Sequence, residues 1–305
     1  MAWNIDDLPD LSDRTVLVTG ANSGIGWEAA RLLARRGARV VMACRSPEKA
    51  RDAVARIHAT LPTARLDLVR LDLGSLASVR ACAAEVTERF GALDVLVNNA
   101  GIMAIPRALT EDGFEVQLGT NHFGHFALSG LLLGALRKSA APRIVTVSSG
   151  VHWAGRIAFD DLTGERRYDK WAAYAQSKLA NLLFTFEAHR RFEAAGVGVA
   201  AVACHPGYAS TNLQGVGPAQ EGSAFGAWMM KVGNSVVAQS AEMGALPTVH
   251  AAVAPDVVSG EVYGPAWFGW GYPVRDRVRA TAKDPATAAR LWEESERLTG
   301  VSWSV

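Results

Sequence analysis

Cysteine is scarce in this chain: Cys44, Cys82 and Cys204 are its only three in 305 residues. An odd number with no CxxC pair supplies neither a disulfide framework nor a zinc ribbon, so reduced thiols and a cytoplasmic setting are expected. An excess of charge of either sign is also missing, with Lys+Arg at 31 and Asp+Glu at 30. That balance excludes a general attraction to nucleic acid or anionic lipid and leaves a small molecule as the expected partner. Long apolar runs are absent as well. The longest, Phe126 to Leu136, contains Ser129 and two glycines; it falls well short of the roughly 20 residues that span a bilayer and reads as a buried helix. The N-terminal stretch carries Asp6, Asp7, Asp10 and Asp13 where a secretory signal has basic residues, so neither a signal nor a membrane anchor is expected.

What is present is an alternation of short apolar runs with helix-length segments. Thr15 to Val18 is followed by a glycine-rich turn and a helical pattern, Trp27 to Arg36, that stops at Gly37. Further strand-like runs are Arg39 to Ala43, Leu66 to Leu71, Leu93 to Val97, Arg143 to Val147, Val197 to Ala203 and, more weakly, Glu261 to Tyr263. Strands that are apolar throughout belong to a sheet covered on both faces, and their alternation with helices makes that sheet parallel. Ligands of such α/β sheets bind beyond the carboxyl ends of the strands. Residues 210–245 depart from this rhythm, being rich in Gly, Ser, Gln and bulky apolar side chains, and are expected to form a substrate lid.

The first strand end carries Thr19-Gly20-Ala21-Asn22-Ser23-Gly24-Ile25-Gly26. Glycines at this spacing let the backbone turn tightly and approach a pyrophosphate set against the helix N-terminus. A kinase-type phosphate loop is disfavoured, because Trp27 and Glu28 stand where a Lys and a hydroxyl residue are needed. At the end of the second strand an acid grips free ribose hydroxyls, whereas a cation accommodates a 2′-phosphate. Here the residues are Cys44-Arg45, so Arg45, assisted by Arg39 or Lys49, favours NADP(H) over NAD(H), unless it is simply a solvated surface arginine. Asp72, followed by Leu73, ends the third strand. Its carboxylate either accepts from an adenine amino group or caps the helix that starts near Ser75.

Tyr174 and Lys178 stand four apart in a helical pattern, on one face. A phenol with pKa about 10 needs roughly 4 kcal/mol to drop by about 3 units, and an ammonium about 4 Å away at an effective dielectric near 20 supplies about that much. The pair therefore suits acid/base chemistry on an alcohol. Ser149, just past the strand Arg143 to Val147, either polarises a carbonyl oxygen beside the tyrosine or caps a helix. Asn121 either holds a water relay through its amide or is a buried structural amide. His122 and His125 lack converging partners, so no metal site is expected.

Taken together, the glycine turn, Asn98-Asn99-Ala100-Gly101, Asn121, Ser149, Tyr174 with Lys178, and Pro206-Gly207 with Thr211 resemble the short-chain dehydrogenase/reductase superfamily. Ala43-Cys44-Arg45, Thr120 to Phe126 and Ser177 to Asn181 resemble its retinol dehydrogenase and WW-domain-containing oxidoreductase branch, whose members mostly favour NADP(H). The resemblance implies one α/β Rossmann domain over residues 1–305, with a doubly wound, mostly parallel seven-stranded sheet in the order 3-2-1-4-5-6-7. It implies Tyr174 as acid/base, Lys178 lowering its pKa and holding the nicotinamide ribose, Ser149 orienting the substrate oxygen and Asn121 supporting a relay. Asn99, Ala100 and Gly101 then shape the cofactor pocket, and Pro206, Gly207 and Thr211 flank the nicotinamide. Helices around Phe114 to Leu136 and Ala172 to Phe192 meet a second subunit in many relatives, which implies a homodimer or homotetramer.

The expected activity is NADP(H)-dependent interconversion of a carbonyl and an alcohol. Trp153, Tyr208, Phe225 and Trp228 would line a lipophilic substrate pocket, or else serve core packing. Without an N-terminal anchor, retinoid activity does not follow. The rival expectation is a catalytically silent NADP(H)-binding regulatory protein.

Overall fold

A computed structural model of the chain describes residues 5, 8–207, 240–267 and 270–305. Its strands are β1 (Thr15–Thr19), β2 (Arg39–Cys44), β3 (Arg65–Arg70), β4 (Val95–Asn98), β5 (Arg143–Val147), β6 (Ala200–Cys204), β7 (Val262–Trp267) and β8 (Trp270–Arg275). They form one sheet in the order β3-β2-β1-β4-β5-β6-β7-β8. The first seven run parallel in the expected order, and β8 pairs antiparallel with β7.

The eighth strand corrects the expected seven. Both β7 and β8 contain a proline, which cannot donate to a ladder and so hides a strand from pattern reading. In the folded sheet Pro265 stands opposite Pro273, so the two positions without an N–H face each other.

Alternation within each strand sends side chains to opposite faces, and two cores result. Val16, Val18, Val40, Met42, Val95, Val97 and Val145 pack on one face against helices α1 (Gly24–Arg35), α2 (Pro47–His58) and α6 (Ala241–Val253). Leu17, Val41, Leu96 and Ile144 pack on the other against α3 (Leu76–Phe90), α4 (Gly124–Leu136), α5 (Lys170–Ala194) and α7 (Pro285–Thr299). The apolar run Phe126 to Leu136 is accordingly a buried helix, and no described helix is long and apolar enough to cross a membrane.

The helices expected to meet a second subunit bury their inner faces within the chain. Trp292 of α7 stacks on Phe184 of α5 at 5.8 Å between ring centroids, and it meets Phe126 of α4 edge-on at 5.1 Å. Trp303 closes on both rings, and every residue from Ala173 to Ala188 is buried. The expected lid over 210–245 lies outside the described residues as far as 239. Residues 240–245 are the Ser240 cap and first turns of α6.

Candidate active site

The site lies at the carboxyl ends of β1, β4, β5 and β6, where the winding reverses between β1 and β4. A cleft of about 410 Å³ runs there from the glycine turn and Arg45 past Asp72 and Asn99 to Ser149, Tyr174, Lys178 and Gly207.

At one end, α1 begins at Gly24 with Ser23 as its N-cap residue, and no side chain caps its first amides. Those amides are the donors that a helix start offers an anion. Gly26 lies against Gly20: a Cβ placed there would sit 2.6 Å from the Gly20 carbonyl oxygen and collide with Asn99 Nδ2. Asn99 is fixed by donating to the Thr19 carbonyl at 2.8 Å. The Thr19 hydroxyl oxygen accepts from the amides of Asn99 and Ala100, both at 2.9 Å. Arg56 donates to the Asn22 carbonyl at 3.0 Å while its guanidinium lies 4.7 Å from the Trp27 ring. Sequence spacing gave no sign that an α2 side chain braces this turn.

Arg45 is exposed on the cleft rim. Arg39 does not assist it. It opens β2, about 20 Å away along the strand, where it pairs with Asp67 at 2.8 Å and lies over Phe90. Asp72 Oδ1 accepts from Gly74 N at 2.9 Å, and Ser75, not Asp72, caps α3. Asp72 and Leu73 both line the cleft.

At the other end, Asp169 caps α5 by accepting from the Trp171 and Ala172 amides, which sets Tyr174 and Lys178 in its first turns. Ser148 Oγ donates to Lys178 O at 2.8 Å and Asn181 Nδ2 to Val147 O at 3.1 Å, tying the helix to the end of β5. Ser149 lies beside Tyr174 in the cleft and favours its ionised form, and Ser149 Oγ accepts loosely from Val151 N at 3.5 Å. Lys178 Nζ donates to Val147 O at 3.1 Å and lies 5.8 Å from the Tyr174 ring centroid. Tyr174 and Lys178 are 5% and 3% exposed. Burial pushes the phenol up to about 12, with the Ser149 hydrogen bond pulling the other way. It also pulls the Lys178 ammonium down to about 8. Desolvation of the phenolate is the larger of the two effects on the phenol.

Asn121 lies in a π-helical turn, Gly119–Phe123, that leads into α4. Its Nδ2 donates to Ile102 O and to Ser177 Oγ, both at 2.9 Å, and its Oδ1 accepts from Ile102 N at 2.8 Å. Both amide protons are therefore committed to protein, and Oδ1 keeps one lone pair beyond its bond from Ile102 N. Its backbone carbonyl accepts from His125 Nδ1 at 3.0 Å. His125 Nε2 then accepts from the Thr19 hydroxyl at 2.9 Å, linking Asn121 to the turn after β1. Pro206 and Gly207 line the cleft, whereas the half-exposed Trp153 does not. Ile102, Met103, Val151 and Trp171, which sequence reading passed over, line it instead. Tyr208, Thr211, Phe225 and Trp228 lie outside the described residues. Among the described residues no three His, Cys, Asp or Glu side chains group as a metal site.

Burial pulls His122 and His125 down to about 3 and about 4, and it lowers His152 and His250 too. The His122 and His125 rings are neutral when folded, so below about pH 6.5 the unfolded chain binds more protons and stability falls as pH falls, by up to about 1.4 kcal/mol per unit per ring. Urea denaturation is expected to give at least roughly 2 kcal/mol less stability at pH 5.5 than at pH 7.5. Equal values at both would contradict neutral buried rings.

A family model described as short chain dehydrogenase matches residues 14–221. Retinol dehydrogenase 13 of Homo sapiens is 43% identical over 290 residues, covering 94% of this chain and 85% of that protein. Retinol dehydrogenase 12 of Mus musculus is 40% identical, with 95% of this chain and 87% of that protein covered. Among solved structures, an uncharacterized protein from Mycobacterium paratuberculosis superposes with a TM-score of 0.83 at 43% identity, covering 100% of each chain. One described as an NAD(P) dependent gluconate 5-dehydrogenase from Beutenbergia cavernae, with bound NADP, superposes with a TM-score of 0.63 at 30% identity, covering 83% of this chain and 95% of that one.

Proposed function

The chain belongs to the short-chain dehydrogenase family, and from that premise we propose that it reduces a lipophilic aldehyde or ketone with NADPH, Tyr174 being the proton donor. The observation that carries this reading is the convergence of Ser149, Tyr174 and the Lys178 cation in the same cleft as the glycine turn. The uncapped amides of α1 and the close approach at Gly26 fit a pyrophosphate. When bound, the reduced nicotinamide supplies the hydride.

The chain's own side chains do the rest. Ser149 and Tyr174 hold the carbonyl oxygen, which polarises it toward attack. A phenol raised to about 12 is protonated at neutral pH, the state needed to hand a proton to a developing alkoxide. The Lys178 cation stabilises the phenolate left behind, and the buried setting strengthens that attraction. Ile102, Met103, Val147, Val151 and Trp171 give the cleft an apolar wall suited to a lipophilic substrate. The names of the retinol dehydrogenase relatives support an extended apolar aldehyde as the first compound to try.

The test follows NADPH absorbance with retinal, aliphatic aldehydes, aromatic ketones and steroids. Oxidation of NADPH by at least one is expected, and tight binding with no oxidation across the panel would favour a silent binding protein. Arg45 supports preference for the 2′-phosphate. Replacing it with Ala is expected to raise the KM for NADPH about 10- to 100-fold, the worth of a charge-assisted bond, and to leave the KM for NADH nearly unchanged. Equal changes for both cofactors would remove Arg45 from the preference.

A further inference from the structure

The β7–β8 hairpin lies beyond the family match at 14–221, yet it reaches back to the cleft. Ser148 N donates to Cys204 O at 2.7 Å, which sets the segment after β6, His205-Pro206-Gly207, beside Ser149. The His205 amide donates to Tyr263 O of β7 at 3.0 Å. Its ring is held at both nitrogens. Gly207 N donates to Nδ1 at 3.1 Å, and Nε2 lies 2.5 Å from Asp276 Oδ2. A backbone N–H only donates, so Nδ1 is unprotonated and the single ring proton sits on Nε2, directed at the carboxylate.

Asp276 is itself held. It directly follows β8, its amide donates to Val262 O at 2.7 Å, and its Oδ1 accepts from Arg277 N at 2.7 Å. The ring rests on β7 at Gly264, where a Cβ would come within 2.7 Å of His205 Cε1.

We propose that Asp276 fixes the ring tautomer of His205, and that His205 in turn holds the Gly207 amide and so positions the Pro206–Gly207 turn as a wall of the cofactor cleft. Neither residue touches the reacting atoms; both are positioning residues. The inference rests on the NADP(H) reading above. Without the carboxylate, the proton is free to move to Nδ1, and the Gly207 N–H loses its acceptor.

The test compares wild type, Asp276→Asn and Asp276→Glu in two measurements. Nitrogen NMR of ¹⁵N-histidine protein, with the His205 signals assigned by their loss in His205→Gln, reads the tautomer. Calorimetry reads the NADPH dissociation constant. Expected are a single Nε2–H tautomer in wild type, a mixture in Asp276→Asn with NADPH bound about tenfold more weakly, as loss of one hydrogen bond implies, and partial return of both in Asp276→Glu. An unchanged tautomer in Asp276→Asn, or a changed tautomer with unchanged NADPH affinity, overturns the proposal. A wild-type protein that binds no NADPH overturns the cofactor reading instead, and the ring signals still decide whether Asp276 sets the tautomer.

Discussion

Replacing Tyr174 with Phe is expected to lower kcat by about 10³-fold or more, within the range for loss of a positioned general acid, while NADPH affinity stays within about twofold. The change removes one oxygen from a ring that is 5% exposed and packed against Trp171 at 6.5 Å between centroids, so the fold has no cavity to collapse. What is lost is the phenolic hydroxyl that lies with Ser149 and Lys178 in the cleft. The measurement pairs steady-state NADPH oxidation with calorimetric NADPH binding. Retained turnover with intact binding would remove Tyr174 from the chemistry. Loss of both together would make it a structural residue.

Replacing Gly26 with Ala is expected to abolish measurable NADPH binding and to cost about 2–3 kcal/mol of stability, the scale of an overpacked site. The new methyl group would meet the Gly20 carbonyl oxygen at 2.6 Å, and the Asn99 amide is no soft neighbour because Thr19 O already holds it. Either the turn after β1 opens or the Asn99 segment moves, and both changes reshape the cleft. Gly134 in α4 is the control: it is exposed and a Cβ there meets nothing within 4 Å. Gly134→Ala should therefore bind NADPH normally and gain up to about 1 kcal/mol from helix propensity. Equal denaturation midpoints and NADPH affinities for the two variants would show that close approach at Gly26 is not what the turn requires.

Much of the architecture was legible because its signals are local. Most strand runs between Thr15 and Ala203 are short and largely apolar, and the glycine turn, the Cys44-Arg45 end and the four-residue spacing of Tyr174 and Lys178 are short patterns with direct backbone meaning. Strand ends shifted by a few residues; Val197 to Val199, read as strand, lead into β6 at Ala200. Other features left no local trace. Pro265 and Pro273 hid the hairpin until they stood opposite each other. Asn121 has Ile102 and Ser177 as partners, both far from it in sequence. Trp303 packs 6.1 Å from Phe192 of α5, from far along the chain.

The amino-acid sequence by itself determined where most strands lie along the chain and which residue types stand at their carboxyl ends, since backbone propensity, hydrophobic period and turn chemistry act over a few residues. Tertiary structure alone decided partners and environment: that Tyr174 and Lys178 are buried, that Asn121 bonds Ile102 and Ser177, and that Asp276 faces His205. Desolvation and hydrogen bonding sum over whichever groups the fold gathers around a side chain, and those groups come from anywhere in the chain.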